Sequence, residues 1–327
     1  MSPRLPDVER LDHGVSIIPL PLPFTSPAWV NAFVIEGDDG VILLDCGADW
    51  EPGHDRLVSG FSELGLDTAA VHTLIVTHLH PDHVGMAPRL VDEWSCRLVM
   101  HRSAATGFRA YNDTPALQRW TEAFGRTHGV PSPLMAAFAD ITRPAFMPLL
   151  RPPDAVVDDG DHIPIGAGRY LEVLHTPGHE HSHICLRDSR TGVLFSGDHV
   201  LPRITPVIMW DQTEIDVLGQ YLESVSRIAL MRVGLTYPAH GQIMDRGSLR
   251  ASQILLHHRR RLSGMDHTVE GGPVTAWDVM EDAYRPHLDS LEQRLALRET
   301  VSHVEHLRML GRVSSFTEEG LVWYRRA

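Results

Sequence analysis

A chain of 327 residues, 43% hydrophobic and 22% charged, is long enough for one large domain with a small one attached, and its composition sets aside disordered and fibrous classes. A formal net charge of −13 repels polyanions, so nucleic acid is not an expected partner; all 29 basic residues are arginine, which removes Schiff-base lysine chemistry and the phosphate-gripping lysine of a P-loop. Cys46, Cys96 and Cys185 are odd in number and far apart, which argues against a disulfide framework or thiolate metal site and for three small buried hydrophobes. From the N-terminus, Pro3, Pro6 and Asp7 interrupt any apolar run of leader length, and no stretch approaches the roughly 20 apolar residues of a membrane span. The expected location is the cytoplasm, with no membrane partner.

The first elements read as strands: Val15 to Leu20, Val30 to Ile35 and Val41 to Leu44, the last two joined by the turn Gly37-Asp38-Asp39-Gly40. Leu57, Val58, Phe61 and Leu64 predict a helix over 55–64, stopped by Gly65. A short apolar strand, Thr73 to Thr77, runs straight into a histidine-rich segment. Residues 102 to about 154, rich in aromatics and prolines, predict a helical and irregular insert. Strands return at Tyr170 to Leu174, Ile184 to Leu186, Val193 to Ser196 and Leu235 to Tyr237. A helix over 248–263 ends in Arg259-Arg260-Arg261. His54, His72, His162 and the pair His257-His258 read as surface residues, and His101 as a partly buried structural one. Beyond Gly271-Gly272-Pro273 come helices over 276–284 and 288–310 and a hairpin over 312–325. The organisation expected is residues 1–265 as one domain and 266–327 as a second.

The chemistry concentrates at strand ends. His78-Leu79-His80-Pro81-Asp82-His83 packs four metal-ligand side chains into six residues, and imidazole with carboxylate suits zinc, iron or manganese. In an extended segment His78 and His80 point to one side; Pro81 then breaks the strand and lets Asp82 and His83 face a second centre. Thr176-Pro177-Gly178-His179, Ser196-Gly197-Asp198-His199 and Pro238-Ala239-His240-Gly241 each add one donor on a tight turn after a strand. Five histidines and two aspartates suffice for two ions sharing a bridging carboxylate and a water. His181, His183 and His199 read as local structure or support behind the donors.

Together these motifs resemble the metallo-β-lactamase superfamily: a strand ending in H-x-H-x-D-H, then T-P-G-H, then G-D-H, then a late P-A-H-G, over roughly residues 12–245. The resemblance is to the glyoxalase II-like branch with an appended small domain. It implies an α/β fold, the αββα sandwich of that superfamily. It also implies two divalent ions, zinc first, with iron or manganese as alternatives. His78, His80 and His179 would hold one ion, Asp82, His83 and His240 the other, and Asp198 would bridge. Leu44-Asp45-Cys46-Gly47 resembles the family's L-D-x-G turn, whose aspartate supports ligand histidines from behind, so Asp45 is expected there. The implied activity is a hydrolase whose metal-bridging hydroxide attacks a thioester, ester or lactone, with Asp82 and Asp198 steering the proton to the leaving group. Alternatives within the superfamily are an iron persulfide dioxygenase-type oxidoreductase and a phosphoesterase or nuclease. The absence of a G-x-S-x-G elbow agrees with attack by water.

The substrate expected is a small molecule, with CoA- or glutathione-linked acyl groups as examples, in a pocket walled by Phe146, Met209 and Trp210. Thr300-x-x-His303-x-x-x-Leu307-x-x-x-Gly311 followed by a strand resembles the small winged-helix segment appended to some of these hydrolases. Residues 266–327 carry seven arginines and eleven acidic residues, a net of −4, which suits packing or pocket closure rather than DNA reading. A homodimer contact is a second use for the apolar stripe Val301, Val304, Leu307 and Leu310.

Overall fold

β-branched and aliphatic runs set the first sheet. The computed structural model describes residues 4–24, 26–142, 144–210 and 215–327. The strands β1 Glu9–Arg10, β2 Val15–Pro21, β3 Trp29–Gly37, β4 Gly40–Leu44, β5 Val71–Ile75, β6 Arg97–His101 and β7 Ala155–Val157 form a seven-stranded sheet in that order. β1 to β4 pair antiparallel, whereas β4 to β7 pair parallel through helical crossovers. Helices α1 Glu51–Glu63, α2 Pro81–Val84 and α3 Ala87–Trp94 belong to these crossovers. Along β3 the side chains alternate between layers: Phe33 and Ile35 face the second sheet, while Ala32 and Val34 face the cluster that includes Leu57 and Phe61 of α1 and Leu90 of α3. Burial on both faces explains why these strands read as continuous apolar runs.

The insert forms α4 Ala104–Asn112, α5 Thr114–Thr127 and α6 Met135–Ala139. Next comes the second sheet, β8 His162–Gly166, β9 Arg169–His175, β10 Ile184–Asp188, β11 Leu194–Gly197 and β12 Thr236–Pro238, ordered β12-β11-β10-β9-β8. Leu171, Val173, Ile184, Leu186, Phe195 and Tyr237 meet Phe33, Ile35, Ile42, Leu44 and Ile75 of the first sheet in the central layer. On the outer face, Leu174, Cys185 and Leu194 pack with α7 Val217–Leu230 and α8 Gly247–Glu270. The layers are helix, sheet, sheet, helix, the expected αββα order. All three cysteines are buried and unpaired.

The last segment adds β13 Val274–Thr275, α9 Ala276–Ala283, α10 Ser290–Met309, β14 Val313–Glu318 and β15 Leu321–Arg326. The strands make an antiparallel sheet ordered β13-β15-β14. Capping boxes start α9 at Thr275 and α10 at Asp289. Val301, Val304 and Leu307 join Ala251, Ile254, Leu262 and Met265 of α8 in the same buried cluster as Leu174 and Cys185 of the second sheet. The terminal segment therefore shares its core with the sandwich. α8 runs unbroken past Arg259-Arg260-Arg261 to Glu270.

That longer helix corrects one expectation. His258 is not a surface residue; it is fully buried. Its neighbours one turn away, Ile254 and Leu262, are buried on the same helix face, while Arg259 and Arg260 point to solvent. Among the described residues no helix is long and apolar enough to cross a membrane.

Candidate metal centre

The donors lie where strands of both sheets end. Three residues past β5, His78 follows Thr77. Pro81, fixed at a φ suited to a helix start, opens α2, a single turn that carries Asp82 and His83 away from His78 and His80. His179 lies four residues past β9, Asp198 directly follows β11, and His240 lies two residues past β12. Gly197 leaves β11 at φ +50°, and a Cβ there would stand 2.6 Å from His183 Nε2. Glycine at this position therefore lets the backbone close over that ring.

The structure brings all seven predicted donors together in two groups: His78, His80 and His179 with Asp198, and Asp82 with His83 and His240. Asp198 faces both. Its Oδ2 is 3.6 Å from His179 Nε2, and its Oδ1 is 3.5 Å from His83 Nε2 and 3.4 Å from His240 Nε2. Asp82 Oδ2 approaches His240 Nε2 at 3.2 Å. The rings of His78, His80 and His179 sit 4.5–5.1 Å apart, centre to centre.

Hydrogen bonds fix which ring nitrogen faces inward. His179 Nδ1 donates to the Val207 carbonyl and His240 Nδ1 to the Trp29 carbonyl, both at 2.8 Å. His83 Nδ1 donates to Asp45 Oδ2 at 2.8 Å. The Asp45 carboxylate also accepts from the Thr77 N–H at 2.8 Å and the Thr77 hydroxyl at 2.9 Å. With its hydroxyl proton so committed, Thr77 Oγ1 accepts from His78 Nδ1 at 3.0 Å. Asp45 holds this position in the left-handed region, φ 57°, a conformation that aspartate tolerates better than most residues. Each tautomer so fixed leaves Nε2 bare and aimed at its neighbours.

Two observations test the site for a cation. His83 Nε2, His179 Nε2 and Asp198 Oδ1 are buried and have no hydrogen-bond partner, although buried polar atoms normally have one. His78 Nε2 and His80 Nδ1 face each other at 2.9 Å. Converging bare nitrogens and a two-faced carboxylate are what divalent ions satisfy. Without ions, burial drives His78 well below the ordinary imidazole value and His80 to about 3. In the other group burial also opposes charge, but the carboxylates of Asp198, Asp45 and Asp82 win and hold His83 well above it.

His183, placed by sequence only as support, is buried with its Nε2 accepting the Asp198 N–H at 3.1 Å and its Nδ1 donating to Thr176 Oγ1 at 2.8 Å. His199 is buried against the Tyr221 ring, 5.0 Å away. His101 is buried and stacks on His175 at 3.8 Å.

A cavity of about 190 Å³ opens beside His179, bordered by Glu180, Met209, Ile215, Val217 and Gln220. Of the three expected wall residues, Met209 lines it and Trp210 and Phe146 do not. Trp210 turns into the core beside Phe124 and His128, with ring centres at 5.9 and 5.7 Å. Phe146 packs beside Phe24 at 6.0 Å in the core of the first sheet. The Arg260 and Arg261 side chains border a separate cavity that contains none of the seven donors.

The model of the metallo-β-lactamase superfamily matches residues 29–240, and the chain belongs to that superfamily, whose members are typically metal-dependent hydrolases that bind divalent metals. A crystal structure of a beta-lactamase domain protein from Burkholderia ambifaria superposes with a TM-score of 0.85 at 27% identity, covering 98% of this chain and 94% of that one. A probable metallo-hydrolase of Bacillus subtilis, YqjP, is 23% identical over 323 residues, covering 96% of this chain and 98% of its own. An atrochrysone carboxyl ACP thioesterase of Emericella nidulans is 23% identical over 310 residues, 90% of this chain and 82% of its own. The last two likenesses, like the structural one, run past residue 245 into the terminal segment.

Proposed function

We propose that the chain is a dinuclear hydrolase, with zinc as its metal, that cleaves a thioester of a small acyl substrate, esters and lactones being the neighbouring substrate classes. The observation that carries this reading is Asp198, whose two oxygens face different donor groups. Bound divalent ions would supply Lewis acidity and lower the pKa of a water held between them. His78, His80 and His179 would hold one ion and Asp82, His83 and His240 the other, with Asp198 common to both. Asp45 fixes the His83 tautomer and, through Thr77, that of His78. Asp82, close to His240 and at the less buried side of the cluster, would take a proton and pass it to a leaving thiolate. Met209, Ile215 and Val217 give the cavity beside His179 an apolar side suited to an acyl chain.

The thioester is preferred because a relative across most of the chain is named an ACP thioesterase; an acyl group on a CoA, glutathione or carrier-protein thiol shares that chemistry. The test compares the wild type with a variant lacking both His83 and Asp198. Elemental analysis should show two divalent ions fewer in the variant, and turnover of acyl thioesters by the wild type should proceed without oxygen. A difference of one iron, with oxygen uptake during turnover, would overturn the reading in favour of a dioxygenase.

A further inference from the structure

A second set of metal-type donors is buried between α8 and α10. His258 of α8 and Glu299 and His303 of α10 offer ligand atoms within 4.8 Å of one another, and none is more than 7% exposed. Glu299 and His303 stand four residues apart on one helix face, opposite His258. His258 Nδ1 and His303 Nε2 are 3.1 Å apart, close to the 2.9 Å between the facing nitrogens of His78 and His80.

The local bonding shows what this trio lacks. His303 Nδ1 donates to the Glu299 carbonyl at 2.7 Å, which makes its Nε2 the acceptor for His258 Nδ1. His258 Nε2 is buried without a hydrogen-bond partner. The Tyr284 hydroxyl donates to Glu299 Oε2 at 2.8 Å, and the Arg261 guanidinium lies over the Tyr284 ring, 4.4 Å from its centre. Hydrophobic residues surround the trio on both helices. Buried polar groups in such a place cost stability unless a partner satisfies them.

We propose that His258, Glu299 and His303 bind one divalent transition-metal ion of the zinc class, which clamps α8 to α10. Two imidazoles and one carboxylate are a donor set zinc accepts, with a water completing four-coordination. Tyr284 orients the carboxylate from outside, as hydrogen-bonded partners of metal ligands commonly do. The site shares no residue with the seven donors near Asp198 and does not depend on their assignment. Its function is structural: the ion joins the terminal segment to the helix that covers the second sheet.

The test uses the full chain dialysed against zinc. His258→Gln and His303→Gln should each lower the zinc content by one ion per chain and remove the zinc-dependent rise in Tm, while thioester turnover stays within about twofold. A chain already lacking His83 and Asp198 should still bind one zinc, lost when His303→Gln is added. This keeps the two sites separate: if the centre at Asp198 fails as a metal site, His303→Gln still removes an ion. Unchanged zinc content in both glutamine variants would overturn the proposal. Should those variants fail to fold, anomalous diffraction from wild-type crystals grown with zinc decides it, by a peak between His258 and His303 or none there.

Discussion

The two donor groups around Asp198 are built from similar side chains and backed differently. His179 is held by a main-chain carbonyl and His78 by the Thr77 hydroxyl, whereas His83 leans on a buried carboxylate, Asp45. In the first group burial pushes His78 and His80 below the ordinary imidazole value; in the second, the surrounding carboxylates raise His83 above it despite burial. The difference teaches that the groups need not behave alike. A carboxylate behind an imidazole raises its basicity and so its strength as a ligand, while a carbonyl mainly fixes its direction.

The largest expected effect removes the comparison altogether. Asp198→Ala takes one oxygen from each group, so both ions of the centre should be lost or weakened together. Hydrolysis should fall on the order of 10³-fold or more, as expected when the catalytic metals go. Isothermal titration of the metal-stripped variant checks this. Retention of one tight ion in the His78 group would show that Asp198 serves only one side.

Next in size, Asp45→Asn should separate the groups. An amide cannot match the carboxylate behind His83, and outer partners of this kind are worth about 10–100-fold in metal affinity. The second ion should weaken by that factor and the first much less. Equal weakening of both would mean that Asp45 acts chiefly through Thr77 and His78.

Much of this arrangement was legible because donors at strand ends are read from local order alone. Each of His179, Asp198 and His240 follows an apolar run and sits by a glycine, and H-x-H-x-D-H carries its own spacing. Asp45 was legible only through the resemblance of Leu44-Asp45-Cys46-Gly47 to the family's L-D-x-G turn. His183 was harder: its contact with the Asp198 N–H depends on how two turns close over each other, which no local pattern records. His258 was misplaced because the arginines after it suggested solvent and an early helix end. The signal was present in the period of Ile254, His258, Leu262, Met265 and Val269, one buried face continuing to Glu270. Helix α7 carries a similar stripe in Leu218, Tyr221, Val225 and Ile228. The pocket wall was least legible. In the irregular stretch before residue 211 no period tells which of two adjacent side chains turns outward, and Met209 and Trp210 go opposite ways.

That last pair gives the smallest effect and the finest test of the site against its surroundings. Met209 borders the cavity beside His179 and touches neither donor group's hydrogen bonds, so Met209→Ala should leave metal content and kcat nearly unchanged. It removes apolar surface from the wall, and losing contact worth about one buried methylene, about 0.8 kcal/mol, should raise KM for medium-length acyl thioesters about fourfold. Short acyl groups that do not reach the wall should show less. Trp210 stands next in sequence but packs on Phe124 and His128, and its main chain bonds to Arg298 of α10. Trp210→Ala should therefore act on stability, costing about 2–3 kcal/mol for a large half-buried ring, with a lowered Tm and little change in acyl preference. KM measured over a series of acyl lengths, beside melting curves for both variants, separates the two roles. A selectivity change in Trp210→Ala without a loss of Tm, or an unaltered chain-length profile in Met209→Ala, would move the acyl-binding wall away from the cavity at His179.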